Sequence, residues 1–223
     1  MAFSALIFGG IGSLVETSAL QLEAFNRAFA VLGINFRWNA ADYAASLSNT
    51  GGRKRLGAIG LADGSRLGDA AIAQVHAEKT RQFDALLIDR GLPLRAGVAG
   101  LIAHAQRHRV ALAWATTTSQ ANIDAIFRAT ADALPRDTFA TVGNDRAVDR
   151  QKPDPAIYTT ILATLGIGPD AAFAIEDSPT GVAAAKAARL FTVAFPGAMH
   201  DTSDFAAADL LAASLDEVQR LIA

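Results

Sequence analysis

Four short stretches of this 223-residue chain hold the side chains whose types and spacing could do chemistry. "LIFGGIGSLVETS", Leu6 to Ser18, is an apolar run entering a glycine-rich turn that carries no charge before Glu16. Thr116 to Thr118 supply hydroxyls, Lys152 an ammonium, and Glu176 with Asp177 two adjacent carboxylates. A hydroxyl, an ammonium and two carboxylates gathered at one rim would suit a phosphate and a divalent metal.

Such groups must be positioned by the elements that lead into them. Ala5 to Phe8 predicts a short buried strand bounded by glycines. From Leu20 the spacing turns helical, with Leu20, Ala24, Phe25, Ala28, Phe29 and Leu32 on one stripe and Gly33 as a stop. More polar helices follow over 40–89, including "SNTGGRKRL" and the charged run "HAEKTRQF". "RGLPLRAGV", Arg90 to Val98, combines Gly, Pro and charge and reads as a linker. Beyond it, strands at Val110–Ala115, Phe139–Val142, Ala172–Ile175 and Phe191–Phe195 alternate with helices at Ser119–Ala129, Pro155–Leu165 and Ser178–Ala188. That alternation predicts an α/β fold with a parallel sheet covered on both faces. In such a sheet chemistry collects at the carboxyl ends of the strands, where Gly9–Ser13, Thr116–Thr118, the segment leading to Lys152, and Glu176–Asp177 all fall. The helical stretch from Leu20 to Asp89 interrupts the pattern after its first strand, so it reads as an insertion.

Composition narrows the function classes. With 51% hydrophobic and 19% charged residues, the chain can bury a substantial core and is not of a disordered type. A net charge of -2 leaves no basic footprint for nucleic acid. The absence of cysteine removes disulfides, thiolate chemistry and cysteine zinc sites, and fits a cytoplasmic protein. No basic residue precedes Arg27, so the uncharged start is not read as a secretory signal, and no segment has the roughly 18 apolar residues of a membrane span.

In order and spacing, "LIFGGIGSLVET", "ALAWATTTS", "RQKPDPAIY" and "AFAIEDSPTGVAAAKAA" resemble the four motifs of the haloacid dehalogenase (HAD) superfamily of phosphatases, over nearly the whole chain. "NTGGRKRL" is similar to the cap loop of the CbbY-type sugar-bisphosphate phosphatases in the beta-phosphoglucomutase-like branch. The resemblance implies a HAD-like doubly wound parallel sheet core, 1–15 with 94–223, and a small helical cap inserted over 16–93. It implies that Ser13, Thr116, Thr117 and Lys152 contact a phosphoryl group, and that Glu176 and Asp177 hold or orient magnesium. Gly51, Gly52, Arg53 and Lys54 would meet the substrate from the cap, and the partner implied is a small phosphorylated sugar or an inorganic anion.

One part of the pattern is broken. The family's first motif has the form DxDGT, whose first aspartate takes the phosphoryl group and whose second protonates the leaving oxygen. Gly9 and Ile11 stand at those two places, so no catalytic residue of that motif is intact and the magnesium site is weakened or lost. The reading that follows is a HAD-type phosphatase relative that has lost turnover while retaining at most phosphosugar or anion binding. The alternative is an active magnesium-dependent phosphatase working by a non-standard route through Glu16, Glu176 or Asp177.

Simpler readings stand beside these. Gly10-x-Gly12 could be a dinucleotide-binding turn, although Val15 stands where a third glycine belongs. Lys152 could form a partly buried salt bridge with Asp177, closing the metal site into an inert rim. Thr116–Thr118 could cap the following helix. Arg53, Lys54 and Arg55 could be a solvated face as well as an anion contact, and His104 and His108 have no third metal ligand near them in sequence.

Overall fold

Runs of two to five mostly apolar residues, too short to make useful helices, form the strands of the chain. In chain order the elements are β1 (Ala5–Phe8), α1 (Ser18–Val31), α2 (Ala40–Ser46), α3 (Gly52–Gly57), α4 (Asp69–Arg90), α5 (Val98–Arg107), β2 (Ala111–Trp114), α6 (Gln120–Ala129), β3 (Thr141–Val142), α7 (Ala156–Leu165), β4 (Ala172–Glu176), α8 (Pro179–Ala187), β5 (Phe191–Ala194) and β6 (Leu210–Leu211). The structure, a computed structural model, describes residues 3–47 and 51–222. Asn49 and Thr50 of "NTGGRKRL" lie outside the described residues. Two units result, Met1–Glu16 with Leu92–Ala223, and Thr17–Gly91.

The first unit is a six-stranded sheet in the order β3-β2-β1-β4-β5-β6, parallel throughout. This is the α/β architecture the alternation predicts, with β6 as an added edge strand. β1 lies between β2 and β4, pairing Phe8 with Trp114 on one side and with Ile175 on the other. Every residue of β1 and β4 is buried, as a strand covered on both faces requires. Ala5 and Ile7 face one way, into a core with Ile157, Ile161, Ala174 and Ala184 of α7, β4 and α8. Phe8 lies edge-on to Phe139, which also meets Trp114 and Phe127. α5 covers the sheet with Val98, Leu101, Ile102 and Ala105, an i, i+3, i+4, i+7 stripe.

The second unit is helical. α1 packs on α4, and Phe25, Phe29, Phe36, Trp38 and Tyr43 interlock around their contact. Buried Asn26 holds the returning chain: its Nδ2 donates to the Trp38 carbonyl and its Oδ1 accepts the Trp38 N–H, both at 2.9 Å. Among the described residues no helix is long and apolar enough to cross a membrane.

Asn26→Ala should leave both Trp38 backbone groups buried and unpaired, lowering stability by about 2 to 4 kcal/mol. Asn26→Asp, which puts a second acceptor against the Trp38 carbonyl and adds a buried charge, should cost more at neutral pH. Urea unfolding followed by tryptophan fluorescence measures both, and equal losses would contradict the two-bond account.

Candidate functional site

Parallel strands of matched register bring four chain segments to one rim. Gly9 follows β1 and stays in the sheet, its N–H donating to the Ile175 carbonyl at 2.8 Å. The chain then tightens into a single 3₁₀ turn, Ile11–Ser13, and no helix begins there. A dinucleotide turn needs a helix start at that point, so that reading is corrected. The turn spends its polar groups on itself: Ser13 Oγ donates to the Gly10 carbonyl at 2.7 Å, and the Ile11 carbonyl accepts the N–H groups of Leu14 and Val15 at 3.0 Å. Arg95, a residue the sequence reading did not single out, pins the loop by donating to the carbonyls of Gly12, Phe195 and Pro196, with its guanidinium 3.6 Å from the Phe195 ring centre.

Thr116, two residues beyond β2, is buried, and its Oγ1 accepts the Thr118 N–H at 3.2 Å. Thr117 beside it is half-buried. The helix cap is Ser119, whose Oγ accepts the Asn122 N–H at 3.3 Å. Glu16 is engaged at the loop after β5, where its Oε2 accepts the Ala198 N–H at 2.8 Å.

The centre of the rim is a buried charge cluster. Lys152 Nζ lies 2.5 Å from Glu176 Oε1, and the Tyr158 hydroxyl donates to the same oxygen. Glu176 Oε2 accepts the Gly10 N–H at 3.3 Å. Glu176 and Tyr158 are 0% exposed and Lys152 is 8% exposed, so this cluster is out of reach of bulk water. Burial, then the Glu176 charge, pushes the Tyr158 phenol well above its ordinary range, so it remains a hydrogen-bond donor. The salt bridge that the sequence leaves open between Lys152 and Asp177 is made with Glu176 instead. The longer side chain reaches over Gly9, where no side chain competes: a Cβ on Gly9 would overlap the Glu176 carboxyl, and so would one on Gly181.

Asp177 sits against Gly10 and Gly12, where an added Cβ would meet its carboxyl. Its Oδ1 is buried and has no hydrogen-bond partner among the described residues. Burial, and next the neighbouring Glu176 charge, push its carboxyl up to about 7, against the pull of Lys152 and Arg95. Magnesium, the ion the family resemblance implies, needs oxygen ligands free to face it. Position 9 offers none, both Glu176 oxygens are engaged, and no cluster of three or more His, Cys, Asp or Glu exists among the described residues. Asp177 alone does not make a site for a resident magnesium ion.

In the helical unit, Gly51 precedes α3 and Gly52 opens it, with an added Cβ on Gly52 only 3.1 Å from the His76 ring. Arg53 and Lys54 are exposed beside them. Buried Lys79, also missed, places its Nζ 5.3 Å from the Phe25 ring centre and 4.9 Å from that of Phe83. Burial, then repulsion from Arg55, pulls its ammonium down to about 8, with Asp84 opposing. Burial, followed by Lys79, Arg53 and Arg55, lowers His76 in turn. The signal for Lys79 is its place on the stripe Val75, Phe83, Leu86, a lysine on the apolar face of α4.

This fold and this order of rim segments define a class, and the chain belongs to it: a haloacid dehalogenase-like hydrolase family profile matches residues 11–189. Within that class its likeness is to the CbbY branch. It is 37% identical to protein CbbY of Cereibacter sphaeroides over 214 residues, 96% of this chain and 93% of the relative. Crystal structures of CbbY from Rhodobacter sphaeroides superpose with TM-scores of 0.88 for a phosphate complex (37% identity, 97% of this chain and 96% of that one) and 0.87 for a xylulose-(1,5)bisphosphate complex (38% identity, 96% of each chain).

A folded-state value near 7 against 3.8 unfolded means the native chain binds more protons than the unfolded one between those limits. Stability should therefore fall as pH rises from about 4 to about 7 and level off above, by on the order of 2 kcal/mol once the solvent-facing side of Asp177 is discounted. Asp177→Asn should remove that fall and be the more stable protein at pH 8, measured by urea unfolding across the range.

Proposed function

We propose that this chain is a non-hydrolysing relative of the sugar-phosphate phosphatases, which recognises a phosphorylated sugar or phosphate without cleaving it. The observation that carries this reading is the Glu176 carboxyl lying where a side chain at position 9 would have to begin. Phosphoryl transfer of this type needs a carboxylate to attack phosphorus and a second acid to protonate the leaving oxygen. Gly9 and Ile11 provide neither, and loss of a nucleophile costs several orders of magnitude in rate. Glu176 does not replace it, because it is fully buried and held by Lys152, Tyr158 and Gly10.

Ligand recognition is supported by the inserted helical cap. Burial and, after it, the nearby positive charges lower the proton affinity of His76 and Lys79, with Arg53 and Arg55 acting on His76 and Arg55 on Lys79, and a bound anion would relieve that repulsion. The relatives crystallised with phosphate and with a sugar bisphosphate indicate the chemical class of that anion.

The test is phosphate release from a panel of sugar mono- and bisphosphates with magnesium. The parent should remain at background, and the Gly9→Asp, Ile11→Asp double variant should exceed it by at least about a thousandfold. Parent turnover that Lys152→Ala or Asp177→Ala abolishes would sink the reading and support the non-standard route. Binding is tested separately by calorimetry with a sugar bisphosphate, where Arg53→Ala combined with Lys54→Ala should weaken affinity at least about tenfold.

A further inference from the structure

Three donors at the rim converge on one carboxylate. Lys152 Nζ lies 2.5 Å from Glu176 Oε1, Tyr158 OH donates to that same oxygen, and the Gly10 N–H reaches Oε2 at 3.3 Å. An ammonium, a phenol and a backbone N–H around a single anion form an anion site, and here the anion belongs to the chain. Glycine on both sides makes the room, since a Cβ at either Gly9 or Gly181 would overlap the Glu176 carboxyl.

We propose that the rim of this chain is an anion site permanently filled by Glu176, so that it excludes inorganic phosphate and magnesium, and that opening it requires only displacement of that one side chain. The proposal rests on the non-hydrolysing reading above. A tethered carboxylate competes at the effective concentration of an intramolecular ligand, which a free anion must outdo. A phosphate that took Lys152 would also strand a buried Glu176 charge beside its own, and breaking a buried pair is strongly unfavourable. A magnesium ion approaching Glu176 faces the same loss from the other side, with Lys152 left unpaired.

Two variants displace the occupant by independent routes. Glu176→Ala deletes it, and Gly9→Ala inserts a methyl group where the carboxyl lies, adding no reactive group. Calorimetry with inorganic phosphate should detect no binding at the rim of the parent. Glu176→Ala should bind phosphate at least about tenfold more tightly than the parent and Gly9→Ala, which keeps the displaced carboxylate nearby, more tightly by a smaller factor, and Lys152→Met added to either should remove that gain. Circular dichroism identifies a variant that fails to fold. The parent alone keeps the proposal falsifiable: mass-spectrometric mapping of acetylation should find Lys152 protected, with or without phosphate.

Phosphate or magnesium binding by the parent that Lys152→Met or Glu176→Gln respectively alters would overturn the proposal, as would folded opened variants that gain no phosphate binding. Hydrolysis measured on the same samples separates the two readings. Parent turnover sinks the non-hydrolysing assignment, whereas phosphate binding by the parent that Lys152→Met removes, without turnover, sinks the filled site alone.

Discussion

A lysine and a glutamate removed from water together are costly to hold and costlier to separate, and Lys152 with Glu176 is such a pair. Its environment meets the demands of both charges: Tyr158 and the Gly10 N–H take up the glutamate's remaining acceptor capacity, and the Tyr158 ring lies 4.9 Å from the ammonium. The pair in turn constrains its surroundings. Gly9 and Gly181 leave the space that the carboxyl fills, and Asp177, left in the field of Glu176 with a buried, unpartnered oxygen, is driven toward its neutral form. A side chain missing at position 9 would otherwise leave a void beside β1, and voids in close-packed interiors are unfavourable. Glu176 closes that void and neutralises Lys152 in one move.

The sheet places the backbone positions on which this arrangement is built. β1 lies between β2 and β4, so Gly9 comes level with Ala115 and Glu176 on the neighbouring strands, and Thr116 follows one residue on. The loop after β1 then turns its polar groups inward, through Ser13 on the Gly10 carbonyl and through the doubly accepting Ile11 carbonyl. Arg95 holds the outer side of that loop to the chain after β5. Hydroxyls and amides that could face a ligand at such a rim are instead largely engaged with the protein.

Much of this was legible in the residues. Short uncharged runs separated by helical spacing announce a parallel sheet, and the segments that follow those runs place Gly9, Thr116, Lys152 and Glu176 at one rim. What spacing could not decide is which of two adjacent carboxylates Lys152 would choose. That depends on reach across the gap above Gly9, a tertiary property, and the reading with Asp177 failed there. Tyr158 stands six residues beyond Lys152 inside a quoted motif, yet its hydroxyl reads as core until α7 is seen turning it toward Glu176. Arg95 looked like a linker residue because its partners are carbonyls, which leave no mark on sequence. Lys79 was within reach, as the one cation on the apolar stripe of α4.

The two units treat their buried lysines in opposite ways. Lys152 is matched by a contacting carboxylate, so its charge is already answered within the chain. Lys79 has aromatic rings on two sides and a cation, Arg55, as its main charged influence, with Asp84 a lesser and opposing one. Desolvation and like-charge repulsion both favour its neutral form, and an approaching anion would reverse both effects by supplying the countercharge. Electrostatic demand for an anion thus lies in the helical unit, while the sheet unit has satisfied its own.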